Sequence, residues 1–180
     1  MTFKHFTNQL SQCVKDLSDE QGANAAVALL LKDKTNPSIL FVKRVTNLKD
    51  PWSGQIGLPG GKRDINDHSL KDTVIRETLE ETGIDLNDCH FFGVMSVQES
   101  RPRLEIKVLP FVILLDHEPA IVLSRKELER YIWIPVESLV GSKTTVKLSF
   151  GECPAYVVAD NVIWGLTYRI IEEFMETLKL

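Results

Sequence analysis

GQIGLPGGKRDINDHSLKDTVIRETLEETGI, running from Gly54 to Ile84, is the stretch on which the reading of this chain turns. Its second half spaces Glu77, Glu80 and Glu81 at i, i+3 and i+4, so on a helix the three carboxylates project from one side. They repel one another, and only Arg76, one turn before Glu80, is placed to offset them. A bare pattern of this kind is most often a solvated acidic face. A divalent cation would supply the missing positive charge, and oxygen-only ligands favour Mg²⁺, with Mn²⁺ as a substitute, over zinc. On the opposite side Ile75, Thr78, Leu79 and Thr82 form a mostly apolar stripe suited to docking on a sheet. Gly83 can take the left-handed conformation that ends a helix.

Upstream, Leu58-Pro59-Gly60-Gly61 reads as a strand end and a turn whose backbone comes close to something, because glycine leaves no Cβ in the way. Gly61, then Arg76-Glu77, Glu80-Glu81 and Gly83-Ile84 resemble the Nudix box, G-x5-E-x7-R-E-U-x-E-E-x-G-U with U apolar. The chain has one residue more than this pattern between Gly61 and Arg76. It lacks the interior Glu, for which Asp67 is the nearest acidic substitute, and it carries Thr78 at a usually apolar position. The extra residue and the Asp resemble variant boxes of coenzyme A diphosphatase-like Nudix proteins. Arg44, followed by Gly54 and Leu58-Pro59-Gly60-Gly61, resembles the motif preceding the box in those enzymes. It differs by an inserted residue, by Val45 for a small residue, by Lys49 or Asp50 near a second Arg, and by Leu58 for Phe.

The resemblance implies a Nudix-type α/β/α sandwich with a mixed central sheet. It also implies hydrolysis of a diphosphate linkage, with coenzyme A or acyl-coenzyme A as substrate, or ADP-ribose, a dinucleotide or a nucleoside triphosphate as the alternative. The metal would be held by Glu77, Glu80, Glu81 and the Gly61 carbonyl. Arg76 would orient Glu80, and Glu80 or Glu127, with Glu129 as second choice, would accept the proton from water. Arg44, Lys62, Arg63, Arg101 and Arg103 are candidate substrate contacts, Arg being suited to forked contacts with phosphate. Basic residues on loops and at hairpin tips are, as often, simply solvated. His68, near the helix start, reads as local capping more than as a phosphate contact. Two further readings stay open: a non-catalytic Nudix-fold binding module, and an acidic helix that binds a basic partner.

Elsewhere the patterns are those of one folded unit. Phe3, Phe6, Leu10, Val14 and Leu17 predict an amphipathic helix over residues 2–17. Asn24 to Leu31 and Ser38 to Lys43 predict a hairpin, and His90 to Gln98, Leu104 to Leu115 and Arg130 to Ile134 predict strands. Glu99 to Arg103 is the loop between the runs His90 to Gln98 and Leu104 to Leu115. Pro135 to Leu139 reads as a helix-like turn, and Thr144 to Leu148 with Ala155 to Val158 as a hairpin. Ile163, Thr167, Ile170, Ile171, Phe174 and Leu178 predict a final amphipathic helix, and Trp164-Gly165-Leu166-Thr167 resembles its start in the same subgroup.

With 180 residues and 43% hydrophobic content, the chain is expected to form a single domain over 1–180. A net charge of −4 argues against a broad nucleic-acid surface and leaves room for one small anionic substrate. Cys13, Cys89 and Cys153 have no metal or redox spacing, and no apolar run is long enough to span a bilayer. A cytoplasmic protein with a small-molecule diphosphate partner, no membrane and no polymeric nucleic acid is the expectation. A homodimer, with the N-terminal helix contributing, is compatible with it.

Overall fold

The computed structural model describes residues 10, 14–18, 20–33, 35–47, 50, 52–101 and 103–179. At the centre, strand β1 (Ala25–Lys32) runs parallel to β7 (Lys107–Leu114), in register from Ala25 opposite Val108 to Leu31 opposite Leu114. Both strands are apolar on both faces, as strands covered from two sides must be. β1 also pairs antiparallel with β2 (Ser38–Arg44) and with the glycine turn, here the short strand β4 (Gly60–Lys62). The tiny β3 (Ile56–Gly57), β5 (His90–Val94), β6 (Gln98–Glu99) and β8 (Leu128–Pro135) complete a mixed sheet.

The period of two along β1 decides which helix covers which face. Ala26, Ala28 and Leu30 pack in one core with Leu70 and Val74 of α1 (Leu70–Thr82). Leu29 and Leu31 face the other way, against Ile170, Ile171, Phe174 and Met175 of α3 (Gly165–Thr177). Each of the larger buried side chains, the alanines excepted, contributes about 1.5–3 kcal/mol by leaving water. A second sheet of β9 (Lys143–Leu148), β10 (Gly151–Val158) and β11 (Asn161–Trp164) packs beside α3, joined to β8 through the short α2 (Val136–Leu139). The result is the expected α/β sandwich with a mixed central sheet. Among the described residues no helix is long and apolar enough to cross a membrane.

Several expectations shift in detail. The helix over 2–17 lies largely outside the described residues, but Lys15 bridges to Val94 in an antiparallel contact, so the chain is no longer helical there. The strand expected over His90 to Gln98 divides into β5, which stops at Val94, and β6, which begins at Gln98, with the Lys15 backbone lying against β5 at Gly93. Leu104 to Ile106 belong to a tight loop, not to β7, with Ser100 N–H donating to the Ile106 carbonyl at 2.9 Å. Ile163 is buried on strand β11, and α3 begins only at Gly165.

The docking face of α1 is Leu70, Thr73, Val74, Thr78, Glu81 and Thr82, while Leu79 is 45% exposed. The apolar stripe expected on Leu79 is therefore rotated. Thr78 and Thr82 bury their methyl-bearing side chains, and Glu81 turns inward to a backbone donor.

Candidate active site

Helix α1 is positioned at both ends. Ser69 caps it through a reciprocal pair of bonds with Asp72: Asp72 N–H donates to Ser69 Oγ at 3.2 Å, and Ser69 N–H to Asp72 Oδ2 at 2.9 Å. Glu20, far away in sequence, accepts the Leu70 N–H at 2.6 Å and the Arg63 guanidinium at 3.1 Å. Gly83, with φ of 73°, closes the other end by donating to the Leu79 carbonyl.

The glycine turn lies against both β1 and this helix. Gly60 N–H donates to Glu81 Oε2 at 2.9 Å, which draws that carboxylate into the interior, where its side chain is 5% exposed. Arg44 Nη1 stands 3.9 Å from the other oxygen. Burial pushes the Glu81 carboxyl up to about 7, with Glu77 and Glu127 adding to the rise, against the Gly60 N–H and Arg44. Glu77 is raised in the same direction, again chiefly by burial. Its carboxylate packs directly over Gly61, where a Cβ would lie 2.7 Å from Oε1 and closer still to Oε2 and Cδ. Glu80 is the outward member of the three, its side chain 61% exposed and 3.6 Å from Arg76 Nη1.

Arg76 is held by a fork that sequence reasoning glimpsed only as an acidic substitute. Its Nε and Nη2 donate to the two oxygens of Asp67 at 3.0 and 2.9 Å, its Nη1 to Glu77 at 2.8 Å, and its Nη2 also to the Lys62 carbonyl. Asp67 is buried and also accepts from Thr73 Oγ1 and the Asp64 N–H. The guanidinium fork holds Asp67 well below the usual carboxylate range, and Arg76 is pushed up in turn. Asp67 therefore anchors Arg76, and through it Glu77.

A cleft of about 300 Å³ opens above these groups, lined by Glu77, Glu81, Glu127, Arg44, Lys62, Gly60 and Gly61 among others. The cations and carboxylates meet because β8 pairs with β2 up to Arg44, and Val45 N–H donates to the Glu127 carbonyl at 2.9 Å. Glu129 points elsewhere, pairing with Lys43 at 3.0 Å. Arg44 also donates to Asp50 at 2.8 Å. Arg63 does not line the cleft: it donates to the Asp67 and His68 carbonyls and to Glu20, tying down the loop before α1. Arg101 lines a separate cavity with Lys107 and Arg169, and Arg103 lines neither. Three contributors carried no signal in the sequence: Glu20, the Ser100 side chain on the cleft wall, and Trp52 beside it.

Among the described residues no three His, Cys, Asp or Glu side chains form a ready-made cation cage. The donor chemistry nevertheless suits a hard divalent cation. Glu77 and Glu81 are oxygen donors that open onto the same cleft, burial opposes the charge of each, and the backbone of the glycine turn lies against both.

A family model described as the NUDIX domain matches residues 22–151. Over 110 residues the chain is 34% identical to the uncharacterized protein C14C4.10c of Schizosaccharomyces pombe, covering 58% of this chain and 33% of that one. Over 133 residues it is 33% identical to the peroxisomal coenzyme A diphosphatase ndx-8 of Caenorhabditis elegans, covering 69% of this chain and 56% of that one. The match thus spans between a third and about half the length of these two relatives. Among solved structures, a MutT/nudix family protein from Enterococcus faecalis superposes with a TM-score of 0.61 at 19% identity, covering 99% of this chain and 70% of that one. That likeness is one of fold.

Proposed function

The chain belongs to the NUDIX domain family, and on that premise we propose that it is a diphosphatase that hydrolyses the diphosphate linkage of a nucleoside diphosphate derivative. Its substrate in this reading is coenzyme A or an acyl-coenzyme A, released as 3′,5′-ADP and a phosphopantetheine. The observation that carries the reading is the pair Glu77 and Glu81, two carboxylates opening on the same cleft beside the glycine turn, with burial opposing the charge of each. The coenzyme A assignment draws on the likeness to the worm coenzyme A diphosphatase and on the Arg44…Gly54…Leu58-Pro59-Gly60-Gly61 arrangement.

Glu77, Glu80, Glu81 and the Gly61 carbonyl are the groups that would hold Mg²⁺, or Mn²⁺ in its place. When bound, such an ion neutralises charge on phosphate oxygens and lowers the pKa of water. Glu80 or Glu127 accepts the proton as water oxygen bonds to phosphorus and the bridging P–O bond breaks, its electron pair leaving with the departing phosphate. Arg44 and Lys62, both on the cleft, bind the diphosphate oxygens, with the Arg44 fork fixed by Asp50. Arg76, gripped by Asp67, holds Glu77 in place. Arg63 acts by holding the loop, and Arg101 and Arg103 reach only parts of a substrate that extend beyond the cleft.

The test is a mass-spectrometric product screen over coenzyme A, ADP-ribose, dinucleotides and triphosphates with Mg²⁺, repeated with Glu80→Gln and Glu81→Gln. Turnover of coenzyme A that falls at least about 10²-fold in the variants is expected. Unchanged turnover in both variants removes the mechanism, and efficient cutting of another compound with coenzyme A untouched removes the substrate.

A further inference from the structure

One side chain on the cleft wall has nothing to bond among the described residues. Ser100 is 1% exposed, it lines the cleft, and its Oγ has no hydrogen-bond partner among the described residues. Its main chain, by contrast, is in use. The N–H donates to the Ile106 carbonyl at 2.9 Å and the carbonyl accepts from Arg103 N–H at 3.1 Å, closing the loop between β6 and β7. The loop therefore requires the backbone at this position and makes no use of the hydroxyl. Alanine would close it equally well without leaving a polar atom buried and unpaired, an arrangement that folding alone disfavours.

The surroundings say what kind of group would bond it. Ala25, Ile106 and Val108 form a small apolar cluster with Val27, Trp52 and Leu166 packed against it, and all of them line the cleft. This apolar slot is chemically unlike the part of the cleft formed by Arg44, Lys62, Glu77, Glu81 and Glu127. A phosphate suits the charged part and would be poorly solvated in the slot. We propose that the slot is a binding subsite for an uncharged, non-reacting part of the substrate that carries a hydrogen-bonding nitrogen or oxygen, a carboxamide or a nucleobase edge, and that the Ser100 hydroxyl bonds it. The subsite rests on the diphosphatase reading and adds to it a residue that recognises the substrate away from the bond being cut. In coenzyme A the base lies in the 3′,5′-ADP half and the amides in the phosphopantetheine half.

Ser100→Ala separates binding from folding. Losing one hydrogen bond to a buried ligand group should raise KM about three- to tenfold with kcat within about twofold, while the melting temperature stays level or rises because an unpaired polar atom is gone. Calorimetric titration with 3′,5′-ADP and with phosphopantetheine identifies the occupant. Weakened binding of the first by Ser100→Ala marks the base, weakened binding of the second marks an amide, and either supports the subsite. Unchanged KM and unchanged affinity for both products overturn it while leaving the hydrolase reading in place; so does a lowered melting temperature with KM unaltered. A wild-type protein that cleaves no diphosphate yet loses product affinity on Ser100→Ala overturns the hydrolase reading and keeps the subsite. Failure of wild type to bind either product removes the subsite.

Discussion

Replacing Gly60 and Gly61 by alanine, one at a time, should break two different things. At Gly60 φ is +142°, and a Cβ would lie 2.6 Å from Val27 Cα and closer still to the Ala26 carbonyl oxygen. Both obstacles are main chain of the central strand and cannot give way. Backbone strain of about 1–3 kcal/mol and overpacking of a similar size should together cost about 2–6 kcal/mol. In a domain of this size that lowers the melting temperature by roughly 10 °C or more. At Gly61 the backbone accepts a side chain, and the three nearest atoms all belong to the Glu77 carboxylate, the end of a long side chain. It must retreat roughly 1 Å to regain ordinary contact, and in doing so it leaves its place beside Arg76. A misplacement of about that size is enough to cost about 10²-fold in rate.

Gly61→Ala should therefore melt within a few degrees of wild type and lose about two orders of magnitude in kcat/KM, whereas Gly60→Ala should lose fold and activity together. Thermal melts by circular dichroism, with steady-state kinetics on coenzyme A and Mg²⁺, measure both. A Gly61→Ala protein with normal kinetics would refute the link between the Glu77 position and turnover. One as unstable as Gly60→Ala would refute the claim that the carboxylate nearest that space can move aside.

Asp67 sits below its ordinary value because Arg76 grips its charged form, so the stability it lends is present above about pH 4 and drains away as pH falls further. Asp67→Asn should remove about 1.5–3 kcal/mol at neutral pH and flatten the acid limb of a stability curve measured by urea unfolding at a series of pH values. Arg76→Lys keeps the charge but cannot fork onto both Asp67 oxygens while reaching Glu77. Turnover should drop at least about tenfold with KM little changed, and equal kinetics for the two proteins would rule out a positioning role. Chelation of divalent ions should abolish coenzyme A cleavage, and Mg²⁺ or Mn²⁺ should restore it. Activity that survives exhaustive chelation would remove the metal from the reading.

The sandwich and its acidic helix were legible because their causes are local. The spacing of Glu77, Glu80 and Glu81, the Gly83 helix end and the apolar run from Asn24 to Leu31 all act over a few residues, and each appears in the structure near where the pattern put it, whereas the N-terminal cap expected near His68 falls on Ser69. Where one local pattern met another segment, the reading slipped. Lys15, expected on a helix, bridges to Val94 instead, β5 stops at Val94, and the strand β11 took Ile163 from the last helix.

The site divides along the same line. Periodicity along the chain determined that three carboxylates share a helix side and that a flexible turn precedes them, because helical geometry is a property of neighbours in sequence. Only the tertiary packing decided that Glu81 is the buried one, that Glu80 remains in water, that Asp67 closes on Arg76, and that Arg44 reaches the cleft while Arg101 lines another cavity. Solvent loss and charge pairing depend on what comes within a few ångströms from elsewhere in the chain, such as Gly60 against β1 and Glu127 at the foot of β8, and no spacing along one element encodes those distances.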